Sequence, residues 1–397
     1  MPRPAFELAD IFRKHGEAYR AEHPLPIDQL RVMRAIEICR TAALGGHVEA
    51  CGQCEYTRIS YNSCRNRHCP KCQGAERAGW LADREAELLP AEYFHVVFTI
   101  PEELAKIAFH NKRTVYGILF RTASETLPTL ARDPKHLGAE IGLFGVLHTW
   151  GQNLPHHPHI HCVIPGGGLR ADGASWIGCR PGFFLPVKVM SRLFRRLFVE
   201  ALEKAYRKGK LHFFGELERL KDPDAFRGYL APVREKEWVV YAKPPFGGPQ
   251  RALAYLGRYT HRVALGNERI VALGEGQVSF RWKDYRDKGE RNSRTMTLGA
   301  HEFIRRFLIH TLPPGFQRIR HFGWLANRHR KRKLALCRAL LRAPAADLLP
   351  GRERLREAAA ALNRREPEVC PQCRKGVLLG AGRVPACVWS ARPPDTS

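Results

Sequence analysis

The chain has 397 residues and 44% apolar content, enough for two or three domains with sizeable cores and too apolar for a disordered chain. Its longest apolar stretches, such as "YFHVVFTIP" at 93–101, are too short to cross a bilayer. The charged start "MPRPAFELADIFRKHGEAYR" has no apolar signal segment, so no membrane partner is expected and the expected compartment is the bacterial cytoplasm. A net charge of +26 at pH 7 and a pI near 10.0 call for a polyanionic partner, most simply nucleic acid.

Residues 1 to about 38 read as helical, with Leu30, Met33, Ile36 and Ile38 recurring among charges in "PIDQLRVMRAIEICR". A cysteine-rich segment fills 39–72, and "GAERAGWLADREAELL" is a helix that Pro90 ends. "YFHVVFTI" is a strand and "KRTVYGILFRTASETLPTLAR" a helix. "GLFGVLHTW" and "HIHCVIPGG" are two more strands, joined by the loop "GQNLPHHP". A long basic amphipathic helix follows in "PVKVMSRLFRRLFVEALEKAYRKGK". "EWVVYAKPPFGG" is a strand, and "GPQRALAYLGRYTHRVA" a helix opened by Gly and Pro. Next come a hairpin around Gly274 and Gly276, and a helix, "LGAHEFIRRFLIHTLPPGF", that two prolines end. The segment "RIRHFGWLANRHRKRKLALCRALLRA" is strongly basic, and the chain beyond about 350 is expected to be partly disordered. Strands alternating with helices argue for an α+β or α/β core around residues 91–265. The expected organisation is a helical and zinc-binding module at 1–90 and a catalytic core at 91–270. A basic DNA-binding extension at 271–345 and a tail at 346–397 would complete it.

Six of the twelve cysteines lie between residues 39 and 72. In a reducing compartment such density argues for metal rather than disulfides. Cys51 and Cys54 form one C-x-x-C turn and Cys69 and Cys72 another, fourteen residues apart. Each turn aims two thiolates at one point, and two such turns complete a tetrahedral structural Zn²⁺ shell. Cys39, His47, Cys64 and His68 remain for a second, Cys₂His₂ site, and spacing does not decide which four ligands share an ion. Arg65, Arg67 and Lys71 around the module are placed to touch phosphate. A later pair, Cys370 and Cys373, could join Cys387 at a metal but reads more simply as a remnant of the tail.

"LPHHPHIHCVIPGGG" sets four histidines into six positions. On a strand, residues i and i+2 face one side, so His159 and His161 point together while Ile160 packs into the core. Two imidazoles side by side can hold a divalent metal, which needs at least one further protein ligand. Gln152, seven residues upstream of His159, is the first choice, with His95, His148 and His261 as the others. The spacing of His157, His159 and His161 is also similar to that of the histidine-triad nucleotide hydrolases. Pro158 speaks against that, because a buried ladder needs an N–H there.

Tyr255 and Tyr259 in "ALAYLGRYTHR" share one helix face, with Arg258 and Arg262 beside them as DNA contacts. A phenol next to a bound divalent metal can attack a phosphodiester and store its bond energy as phosphotyrosine. Two phenols allow two transfers in succession.

"HPHIHCVIPGGG" preceded by "TWGQNLP", together with "YLGRYTHR" and "YNSCRNRHCPKCQ", resembles the HUH-type two-tyrosine transposases of rolling-circle insertion sequences. The resemblance covers residues from about 35 to 335. It implies an HUH nuclease core, an antiparallel sheet with flanking helices, preceded by the zinc-ribbon module and followed by the basic region. It implies cleavage and rejoining of single-stranded DNA at the element's ends with Mg²⁺ or Mn²⁺, through a 5′-phosphotyrosine that leaves a 3′-hydroxyl. His159 and His161 would be the metal ligands and Tyr255 and Tyr259 the nucleophiles. A plasmid replication initiator or relaxase would share this chemistry. A non-catalytic zinc-ribbon DNA-binding regulator would not need those four residues.

Overall fold

The computed structural model is α+β with antiparallel sheets. It describes residues 4–73, 80–81, 84–85, 87–246, 248, 251–252, 257, 263–284, 292–343 and 368–387. The helix expected over 74–89 therefore lies largely outside the described residues, as does most of the one expected over 248–264.

In chain order, α1 (Leu8–Glu22) and α2 (Ile27–Glu37) flank a break at Pro24 and Pro26, and a hairpin of β1 (Gly46–Cys51) and β2 (Thr57–Tyr61) follows. Next come β3 (Tyr93–Thr99), α3 (Glu102–His110), α4 (Lys112–Arg132), β4 (Gly142–Trp150) and β5 (His156–Pro165). The short strands β6 (Gly167–Leu169) and β7 (Trp176–Gly178) lead to α5 (Val187–Arg207), α6 (Pro223–Glu235) and β8 (Val240–Lys243). Then β9 (Ile270–Gly274) turns into β10 (Gln277–Lys283) through Glu275 and Gly276, with φ of 50° and 72°. Two successive positive φ values are what a two-residue hairpin demands. The described chain ends with β11 (Ser293–Gly299), α7 (Ala300–Leu308), β12 (Ile319–Gly323), α8 (Arg330–Leu340) and β13 (Leu378–Val384).

These elements form two compact units that interleave in sequence. Residues 1–80, 261–311 and 349–397 make the first, and residues 81–260 and 312–348 the second. The chain is thus not divided in simple succession at 90, 270 and 345. The physical reason is pairing at long range. β13 adds to β1 in the sheet β13-β1-β2, and Phe307 of α7 meets Phe12 of α1 edge-on at 5.7 Å. Part of the expected tail is therefore a strand of the first unit. A second sheet of that unit runs β11-β10-β9.

The second unit is built on a five-stranded antiparallel sheet, β12-β4-β5-β3-β8. Strand alternation sorts its side chains. Phe94, Val96 and Phe98 of β3, Leu143 and Leu147 of β4, and Ile160, Cys162 and Ile164 of β5 join one apolar core with Tyr116, Phe120, Phe194 and Phe198 of the helices. The opposite parity carries His95, His148, His159 and His161.

β12 brings the buried indole of Trp324 across Gly142, where an added Cβ would stand 2.6 Å from the ring. Gly142→Ala is expected to cost about 1–3 kcal/mol by overpacking. A thermal melt reads this as a lower midpoint, and an unchanged midpoint contradicts the packing.

Candidate metal centres and active site

Each of the four clustered histidines has a distinct place. His156 shares a 2.8 Å hydrogen bond between its Nε2 and the Tyr116 hydroxyl of α4, which anchors the start of β5. His157 is exposed and lends its carbonyl to the Nδ1–H of His159 at 2.7 Å. Pro158 lies where the β4–β5 register shifts, between the pairs His148–His159 and Trp150–His156, so its missing N–H disturbs no regular ladder. His157 is thus not part of a triad.

His159 and His161 face one side, and His148 on β4 stands directly opposite His159. Their ring centroids lie 4.4 Å (His148–His161), 4.9 Å (His159–His161) and 5.5 Å (His148–His159) apart. One nitrogen from each falls within 4.8 Å of the others. His148 is therefore the third imidazole that the fold supplies. Gln152, the first choice from the sequence, sits in the turn after β4, outside this triad.

His95 on β3 completes the arrangement. Its ring lies within 2° of the His161 plane, and His95 Nε2 is 2.8 Å from His161 Nδ1. Coplanar rings with 5.0 Å between centroids meet edge to edge, as a hydrogen bond requires.

Burial disfavours the charged form of His95, His159 and His161. It lowers His159 to about 4 and His95 to about 3, the latter helped by Lys243. It lowers His161 well below the ordinary imidazole range, with His148, His159 and His95 adding to the effect. Neutral imidazole is the form that ligates metal, so the triad fits a divalent ion without losing protons at neutral pH.

Tyr255, Tyr259, Arg258, Arg262 and His261 lie outside the described residues. Gly257, between the tyrosines, is helical, and its Cα faces the Leu81 side chain so closely that a Cβ would lie 2.6 Å from it.

The cysteines group differently from the expected shell of Cys51, Cys54, Cys69 and Cys72. Cys69 and Cys72 gather with Cys39 and Cys64, whereas Cys51 and Cys54 gather with Cys370 and Cys373. In the first group Cys72 Sγ is 3.6 Å from Cys39 Sγ and 3.5 Å from Cys64 Sγ. A zinc tetrahedron with bonds of about 2.3 Å has sulfur edges of about 3.8 Å, against about 2.05 Å for a disulfide. The crowded thiols split their titration. Hydrogen bonds from Cys64 and Cys69 hold Cys39 down to about 2, while the bond to Cys39 pushes Cys64 up to about 12 and Cys69 rises further. Four thiolates reach one point together only around a cation.

His47 and His68 belong to neither group, so the expected Cys₂His₂ site is replaced by a second set of four cysteines. His47 is exposed on β1 opposite Ser60 and Arg383, and the backbone N–H of His68 donates to Asn66 Oδ1 at 2.9 Å. Cys387 is exposed and outside both groups, and Cys370 with Cys373 is no isolated remnant.

Of the three basic residues near this module, Arg65 is exposed, with φ of 51°. Lys71 is already paired with Glu7 at 2.5 Å, and burial lowers the pKa of Arg67.

Residues 142–333, from β4 into α8, match a family model described as "Putative transposase", and residues 11–100 match the "Transposase zinc-binding domain" model. Sheet, histidine triad and cysteine module thus lie within a transposase. "Putative transposase y4qJ" of Sinorhizobium fredii (strain NBRC 101917 / NGR234) is 60% identical over 382 residues, 96% of each chain. "Transposase for insertion sequence element IS801" of Pseudomonas savastanoi pv. phaseolicola is 27% identical over 297 residues, 73% of this chain and 68% of that one. The chain belongs to the IS91 family of insertion-sequence transposases that carry an N-terminal zinc-binding domain. No solved structure matches it. Among the described residues, no helix is long and apolar enough to cross a membrane.

Proposed function

We propose that this transposase cuts and rejoins single-stranded DNA at the ends of its element through phosphotyrosine on Tyr255 and Tyr259, in rolling-circle transposition. The observation that carries the reading is the triad of imidazoles, His148, His159 and His161, on the sheet face turned away from the apolar core. A divalent ion bound there, Mg²⁺ or Mn²⁺, would polarise the scissile phosphate and stabilise its developing charge.

The chain's own residues do the rest. The Nδ1–H of His159 donates to the His157 carbonyl, which leaves its Nε2 for the metal, and His161 would ligate through Nε2 in the tautomer whose Nδ1–H faces His95 Nε2. A tyrosine Oη, losing its proton, forms a bond to phosphorus as the bond to the 3′-oxygen breaks. The 3′-oxygen leaves as the hydroxyl once protonated, and the 5′-phosphate stays on the protein. Rejoining reverses these bonds with a new 3′-hydroxyl. Arg65, Arg67, Lys71, Arg258 and Arg262 would supply phosphate contacts that position the strand. Gln152, one turn beyond β4, is left as a further ligand to this ion. The Cys39, Cys64, Cys69 and Cys72 set would hold a structural Zn²⁺. Such a protein would work in the cytoplasm, where the DNA is.

An all-imidazole donor set suits Mn²⁺ better than Mg²⁺, which prefers oxygen. Covalent adducts on a labelled single-stranded oligonucleotide should therefore form with either ion, with Mn²⁺ half-saturating at a concentration about tenfold lower. Adducts that form equally in excess chelator would refute the metal's part.

His95 acts by holding His161. His95→Ala is expected to weaken Mn²⁺ binding about 10–100-fold, the usual cost of losing an outer-shell partner. Isothermal titration measures it. Unchanged affinity would show that the His95–His161 bond does not orient the ligand.

A further inference from the structure

We propose that Cys51, Cys54, Cys370 and Cys373 form a second structural zinc site, a clasp that fastens the strand at 378–384 onto the N-terminal module. The two halves are 316 and 322 positions apart in the chain. The zinc-binding domain recognised by its family ends at residue 100 and holds only the first half.

The geometry is that of two facing knuckles. Cys51 Sγ lies 3.7 Å from Cys373 Sγ, and Cys54 Sγ lies 3.7 Å from Cys370 Sγ. Both distances match the edge of a zinc–thiolate tetrahedron and exclude disulfides. Each knuckle carries the backbone support that thiolates need. Gln53 N–H donates to Cys51 Sγ and Gly376 N–H donates to Cys373 Sγ, both at 3.3 Å. Gly376 is required by close approach, because a Cβ there would stand 2.5 Å from Cys51 Sγ. The Gly52 N–H also reaches the Val377 carbonyl at 3.1 Å.

A clasp is needed because packing cannot hold this strand. Within β13 only Leu378 is buried, and five of the seven residues are exposed. A strand with one buried side chain contributes little apolar burial, and ladder hydrogen bonds alone are marginal in water. Arg58 helps at the edge by pairing with both Glu49 and Glu368. Four thiolates around Zn²⁺ would add the missing stability.

The site is independent of the histidine triad, so its test does not depend on the nuclease reading. Purified full-length protein is expected to hold two zinc ions per chain by elemental analysis. Cys370→Ser with Cys373→Ser should lose one of them, and the backbone amides of β1 and β13 should exchange with solvent at least tenfold faster. Cys39→Ser with Cys64→Ser should also lose one zinc but keep protection across β1 and β13, which guards against reading a general unfolding as loss of the clasp. Gly376→Ala should weaken retention of the same ion under a chelator. Two zinc ions retained in the Cys370/Cys373 variant would overturn the proposal. So would one zinc in the native protein, or alkylation showing these four thiols paired as disulfides.

Discussion

Replacing Tyr255 and Tyr259 together by phenylalanine is expected to lower covalent adduct formation on a single-stranded oligonucleotide by more than about 10³-fold, the order seen when a covalent nucleophile is removed. Phenylalanine keeps the ring and removes only the hydroxyl that would attack phosphorus. A free phenol has a pKa near 10, so its reactivity at neutral pH depends on a neighbouring positive charge that favours the phenolate. In the proposed mechanism a metal ion on the imidazole triad would supply that charge. DNA binding, set by phosphate contacts, should change less than about twofold. Each single substitution should leave one adduct-forming residue, so cleavage persists while the second transfer fails. The test is a denaturing gel of labelled product for the wild type, the singles and the double. An undiminished adduct in the double variant would remove both tyrosines from the mechanism.

His159→Ala is expected to lower Mn²⁺ affinity about 100-fold or more and to depress cleavage at limiting metal to the same degree. His159 is the half-buried member of the triad and lies on the face of β5 opposite Ile160, Cys162 and Ile164, so its removal leaves that core in place. His148→Ala should match it, because His148 faces His159 across the β4–β5 ladder. Gln152→Ala should cost less than either. The controls are an unchanged melting midpoint and an unchanged zinc content, since the structural cysteines lie in the other unit. Cleavage by His148→Ala at wild-type rate and metal dependence would take that imidazole out of the site, and an equal loss in Gln152→Ala would return the glutamine to it.

Much of the second unit was legible in the sequence because its signals are local. "GLFGVLHTW" and "KRTVYGILFRTASETLPTLAR" coincide with β4 and α4 from end to end. Strand parity placed His159 and His161 on one face with Ile160 behind them, as the core confirms. His148 was one of several possible third ligands. Choosing it needed the β4–β5 register, which no local pattern reveals.

The cysteines make the same point more sharply. Each C-x-x-C turn is written in four adjacent residues, but its partner is chosen by tertiary closure. Cys51 and Cys54 cap the end of β1, and β1 pairs with a strand that begins at Leu378, directly after Cys370 and Cys373. Cys69 and Cys72 then gather with Cys39, just after α2, and Cys64, just after β2. One basic residue shows a related effect. Charge is visible in sequence, but the pairing of Lys71 with Glu7 spans 64 positions.

The most direct measurement of the central claim is mass spectrometry of the protein–oligonucleotide adduct, trimmed with nuclease and digested. The account predicts a nucleotide phosphate on Tyr255 or Tyr259, formed with Mn²⁺ or Mg²⁺ and absent when His148 and His159 are both replaced. A phosphate mapped to any other residue, or a tyrosine adduct that survives loss of those imidazoles, would contradict it.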